Sequence, residues 1–300
     1  DELGRRIGYP EPDKFVNEIP NAEVKYFKFA TPKNKAPLYI LPAAGNFTVE
    51  INGIGLTEDS FLSVMMIGPG SEMGAQRIVL GPNEHDYMYV TKVGKQYQLR
   101  YQSNRSKAVD LVVGVTSVEG NYEFDVAGAK VDPQGKVSAS VNTDKGNFAF
   151  DTNGNSNPGQ LQVTMTRIDS SGAQTFTGST ALSTDNSVVM NYANWQGEGS
   201  SIPTQVVDDN SGTTTTTDMT DTQSTQGTSN QNIGYSSSSG LDSTDTQSST
   251  SNNAAAETPS QPSNTQSTNT PQPPTGGENP MGQPFTHPSI TGQSPIVINI

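Results

Sequence analysis

For most of its first two hundred residues the chain places apolar side chains at every second position. Side chains of a strand point alternately to opposite faces of its sheet, so this pattern predicts strands with one buried face. Phe47, Val49 and Ile51 alternate with Thr48 and Glu50, and Asn52-Gly53 follows as a turn signal. Tyr97, Leu99 and Tyr101 alternate with Gln98, Arg100 and Gln102, and Val109, Leu111, Val113 and Val115 then line one face of a longer strand. Those two predict an antiparallel pair. Tyr122, Phe124 and Val126 form the next apolar face, followed by the turn Asp132-Pro133-Gln134-Gly135 and then by Val137, Ala139 and Val141. Phe148 with Phe150, and Leu161 with Val163 and Met165, continue the series. Phe61–Ile67 is apolar on both faces, as a central strand is, until Gly68-Pro69-Gly70 breaks it. Val24–Phe29, Leu38–Leu41, Arg77–Leu80, Tyr87–Val93, Phe176–Leu182 and Val188–Tyr192 bring the total to about thirteen strands, roughly 8–14 residues apart.

No ten-residue stretch repeats with a helical period. The expected fold class is therefore all-β: an antiparallel β-sandwich-like region over residues 23–200, as one or two small sandwiches. Val118-Glu119-Gly120-Asn121 is the candidate sub-boundary, and residues 1–22, with Pro10, Pro12 and Pro20, read as an irregular lead-in.

The alternation then stops. Residues 203–291 consist mainly of Ser, Thr, Gln, Asn, Pro and Gly, with runs at Thr213–Thr217 and Ser236–Ser239. So little apolar material does not offset the entropy of ordering a chain, and the tract is expected to be a disordered tether. Beyond it the pattern returns in Ser294-Pro-Ile-Val-Ile-Asn-Ile300. Ile296, Ile298 and Ile300 fall on one face of a strand, and Val297 and Asn299 on the other. An uncharged β-prone segment on a polar tether is an aggregation hazard unless an edge receives it. Residues 294–300 are therefore expected to anchor by β-augmentation, through Ile296, Val297, Ile298 and Ile300, on a protein partner, another subunit or the chain's own sheet. Burying three isoleucines is worth on the order of 5–8 kcal/mol before ordering costs.

Composition narrows the classes. The chain of 300 residues has no cysteine, which excludes disulfides and thiolate metal or redox sites. All seventeen Lys and Arg fall between Arg5 and Arg167, and residues 168–300 carry only acids. A net charge of −13 supplies no basic face for nucleic acid and disfavours attachment to an anionic membrane. No apolar run approaches the ~20 residues of a membrane-spanning helix. Asp1 suits the end left by a signal peptidase, and the Ser/Thr/Asn-rich, cysteine-free, acidic composition points to export, at the cell surface, outside the cell or on a virion.

Candidate chemistry is sparse. Of two histidines, His85 precedes a strand and His287 lies in the tether, and no nucleophile-elbow motif accompanies either. Gly68–Gly74 is Gly-rich but matches no phosphate or dinucleotide loop, and reads as a surface loop. Asp151, Asn153 and Asn155 place oxygen donors at alternate positions, as calcium loops do, although a single carboxylate makes a weak site. Glu50, Glu58, Asp59, Glu72, Asp86 and Asp110 are carboxylates available in principle to a glycan-cleaving pair. Tyr97, Tyr101 and Trp195 are the candidate glycan-contacting aromatics, with core packing as the competing role and Trp195 a candidate plug at the end of the folded region. The sequence thus favours a non-enzymatic exported structural or surface protein with no cofactor beyond weakly bound calcium. A virion spike or decoration component and a secreted carbohydrate-binding or glycan-cleaving module are the alternatives.

Overall fold

The structure is a computed structural model that describes residues 1–11, 13–26, 37–43, 45–133, 135–156, 158–222 and 296–299. Strands, all paired antiparallel, are almost the only regular elements among them, as the alternation predicts. In chain order these are β1 (Ile7–Glu11), β2 (Lys14–Asn17), β3 (Glu23–Tyr26), β4 (Pro37–Leu41), β5 (Phe47–Asn52), β6 (Ser60–Gly68), β7 (Ser71–Leu80), β8 (His85–Val93) and β9 (Gln96–Ser103). They continue with β10 (Lys107–Ser117), β11 (Gly120–Val131), β12 (Lys136–Asn142), β13 (Asn147–Asp151), β14 (Gln160–Asp169) and β15 (Gly172–Ala181). The last four are β16 (Asn186–Asn191), β17 (Ile202–Asp208), β18 (Thr214–Met219) and β19 (Ile296–Asn299). No helix among the described residues is long and apolar enough to cross a membrane.

Two sheets carry the architecture, in the orders β15-β14-β11-β10-β7-β6-β19-β4-β3 and β18-β17-β16-β13-β12-β9-β8-β5. The chain deals hairpins to them in turn. β6–β7, β10–β11 and β14–β15 enter the nine-stranded sheet; β8–β9 and β12–β13 enter the eight-stranded one. The facing sides share one continuous apolar core. Phe124 of β11 stacks on Phe148 of β13 at 4.6 Å between centroids, and Tyr192 packs on Phe124 at 5.1 Å. The two sheets are thus locked by rings from opposite layers, worth about 0.5–1.5 kcal/mol per pair beyond burial.

Several expectations change. β9 and β10, expected to be an antiparallel pair, lie in different sheets: β9 pairs with β8 and β12, and β10 with β7 and β11, because the link between them crosses from one layer to the other. Val118–Asn121 is not a boundary but the turn joining β10 to its neighbour β11 in one sheet. The lead-in contains the β1–β2 hairpin, which local alternation does not announce because only Ile7 and Val16 are apolar and part-buried there. The tract expected to be a tether from 203 begins with two paired strands, β17 and β18. Buried Ile202, Thr204 and Met219 fasten them to the core, and the threonine run at the sheet edge suits an extended backbone. Residues 223–291 of that tract lie outside the described residues. Ser71–Gly74, read as part of a surface loop, begins the long strand β7.

Candidate functional site

The dealing of hairpins has one irregularity, and it defines the site. β5 crosses to the eight-stranded sheet singly, not as a hairpin, so β4 before it and β6 after it run in the same direction. A gap one strand wide separates them. β19 occupies it, antiparallel to both walls. Its register is Ile296 opposite Leu41, Val297 opposite Ile40 and Ile67, Ile298 opposite Tyr39 and Met66, and Asn299 opposite Leu38 and Met65.

That register sorts the positions. Leu41, Tyr39 and Met66 are buried wall residues that face the core, so Ile296 and Ile298 stand at core-side positions. Val297 stands opposite Ile67, which is 42% exposed on the outer face. Ile300, expected to share this role, lies outside the described residues.

β3 pairs with β4, and β4 pairs on its other side with β19. Among the described residues the β3–β4 ribbon accordingly joins the sheet only through the strand in the gap. Its inner side is seated by the N-terminal hairpin. Gly8 takes φ 134°, and a Cβ there would stand 3.4 Å from the hydroxyl of Tyr39. Burial pushes the Tyr39 phenol up to about 12, so it stays neutral in the wall. Tyr39 and Leu41 also line a cavity of about 560 Å³ with Leu62, Leu80, Val49 and Ile51.

A second cluster lies where β7, β8 and β10 converge. Lys107, whose side chain is buried, pairs with Glu84 and donates to Asp86 Oδ2 at 2.8 Å and to the Val79 carbonyl at 2.7 Å. Tyr101 donates its hydroxyl to the same Asp86 oxygen. Burial pushes Glu84 up, but Lys107, the Gly81 N–H and Arg105 outweigh it and hold the carboxyl below its ordinary value. This is an ion-pair network sealed within the fold. The alternation carried a signal for it: Asp86 shares the phase of Met88 and Val90, and Lys107 that of Val109 and Leu111. A charge at a core phase marks a buried pair.

A third cluster occupies the outer face of the nine-stranded sheet. Glu72 and Glu123 flank Gly114 in register, and a Cβ on Gly114 would approach Glu72 Cγ to 2.5 Å. Burial, a hydrogen bond with Glu72, and nearby Asp125 push Glu123 up to about 7, while burial, Asp110 and Glu72 raise Asp125. A carboxyl with a raised folded-state value favours folding while it holds its proton. That advantage is complete below the unfolded value of 4.5 and is lost as pH rises toward 7. Glu123→Gln is therefore expected to raise the melting temperature at pH 8 by a few degrees and to leave it unchanged at pH 4, as read by calorimetry.

The other expected site residues are placed elsewhere. Tyr97, Tyr101 and Trp195 are buried, so the glycan-contacting role expected of them is corrected to core packing. Tyr97 and Tyr101 share the core phase of β9, and Trp195 sits edge-on to Phe176 at 6.2 Å under Arg167, closing the core as a plug. Asn155 is buried, accepts from the Asp132 N–H and donates to the Lys136 and Thr152 carbonyls. Asp151 accepts from the Asn153 N–H. These calcium candidates thus serve the turn itself, and among the described residues no group of three or more acidic or histidine side chains converges as a metal site. His85 meets Glu50 at 3.1 Å on the surface, and His287 is outside the described residues.

Comparison with protein-family models, with curated proteins and with solved structures gives no match to this chain.

Proposed function

We propose that this is a non-enzymatic exported structural or surface protein, and that its last strand anchors it by β-augmentation to a partner or to another subunit. The observation that carries the reading is the two-sided pairing of Ile296–Asn299 in the gap between β4 and β6. A strand bonded on both edges gains twice the main-chain ladder that an edge addition gains, and its alternate positions meet apolar walls. The cysteine-free, acidic composition supports a place at the cell surface or outside the cell. The fold contributes a two-layer body, and the Ser/Thr-rich segment between Thr222 and Ile296 contributes length.

The test is removal of residues 294–300. The shortened protein is expected to lose assembly and retention at the surface, and a synthetic peptide of those seven residues is expected to restore compactness. Assembly and retention both unchanged by the deletion would remove the anchoring role.

A further inference from the structure

We propose that the last strand is exchanged between copies: residues 296–299 of one molecule fill the gap between β4 and β6 of a second copy of this chain. This rests on the anchoring role proposed above and names its partner.

The argument begins with the winding of the fold. Because β5 crosses alone, every strand up to β18 leaves the nine-stranded sheet one strand short between two walls that run the same way. The gap is antiparallel-compatible on both sides, which only a strand from elsewhere in sequence satisfies. The pairing contacts are identical whichever copy supplies it. What differs is the connection, and the connection is far longer than docking within one molecule requires.

Thr222 donates its N–H to the Thr177 carbonyl on β15, at the opposite edge of the sheet from β3. From β15 to the gap are six strand steps, about 29 Å at ~4.8 Å each. About nine extended residues cover that distance at ~3.3 Å each. Residues 223–295 supply seventy-three. Lengthening a loop eightfold adds about 1.8 kcal/mol to the entropy of closing it, a direct handicap to the intramolecular arrangement. A coil of this composition has a root-mean-square reach of about 45–50 Å. A folded body of ~220 residues has a radius of gyration of about 17 Å, so the same reach extends across the whole body to a neighbour's gap.

Donor strand and acceptor gap are different surfaces. Contacts of that kind are heterologous and propagate into open chains unless geometry closes them into a ring. Exchange therefore builds linear assemblies in which each body holds the strand of one neighbour and lends its own to the next.

The chain has no cysteine, so single thiols report the pairing cleanly. Val297 and Ile67 are register partners on the outer face, away from the core. Full-length Val297→Cys and Ile67→Cys variants, refolded together and mildly oxidised, are expected to give disulfide-linked heterodimers in excess of either homodimer, read by non-reducing gel and intact mass. The double variant alone is the control. Its internal disulfide, with no heterodimer in the mixture, would overturn exchange and leave docking intact. Neither product would overturn docking itself, and the anchoring role with it.

Discussion

Lys107→Met is expected to lower the melting temperature by about 10 °C at pH 7. Lys107, Glu84 and Asp86 are almost wholly withdrawn from solvent, and one ammonium serves both carboxylates. Removing one partner of a buried pair costs about 3–5 kcal/mol; Glu84 keeps Arg105 at 3.5 Å, but both buried carboxylates lose the ammonium between them. For a folded region of this size each kcal/mol moves the midpoint by roughly 2–4 °C. In the variant Glu84 loses the ammonium that holds its carboxyl below the ordinary value, so its charged form no longer favours folding. The deficit is then largest at neutral pH and shrinks as pH falls toward 5. Calorimetry at both pH values reads this directly. The triple variant Lys107→Met, Glu84→Gln, Asp86→Asn is expected to regain most of the loss, since no uncompensated charge remains. A single variant no less stable than the parent would show that the network is a passive one.

Ile298→Asp is expected to have an effect of comparable size in a different part of the fold. Ile298 stands opposite Tyr39 and Met66, at a core-side position of the ladder. Placing a carboxylate there forfeits about 2–3 kcal/mol of apolar burial and adds the cost of an unpaired charge. The strand should leave the gap. Amides of β4 and of the β6 edge should then lose protection from hydrogen exchange, while β10, β11 and β14 keep theirs. Val297→Asp provides the contrast, because its register partner on β6 is exposed Ile67. It is expected to change stability by less than about 1 kcal/mol. Equal effects at 297 and 298 would contradict the register.

Much of this was legible in the alternation. The strands themselves, the long β10 among them, follow from side chains recurring at every second residue, but their partners do not: β9 and β10, neighbours in sequence and expected to pair, enter different sheets. β1, β2, β17 and β18 were not legible, because their burial is supplied by a few scattered residues such as Ile7, Ile202 and Met219 rather than by a run. Trp195 and Tyr101 illustrate a different limit. Sequence places an aromatic ring on a face, but only the second layer decides whether that face is covered. The gap between β4 and β6 was invisible for a stronger reason. It arises from the order in which hairpins are dealt to two sheets, which no local pattern encodes. The Lys107 network was readable after all, as charges standing at core phases.

The gap also fixes a sequence of events. β4 and β6 are made early in synthesis, while the strand that joins them is translated more than two hundred residues later. Until then the nascent protein has a nearly finished body with two open edges and a loose ribbon. Its last folding step is therefore a long-range capture, slow by topology and separated in time from the collapse of the core. A newly made molecule that meets a neighbour during that interval is presented with a vacant place before its own chain can claim it.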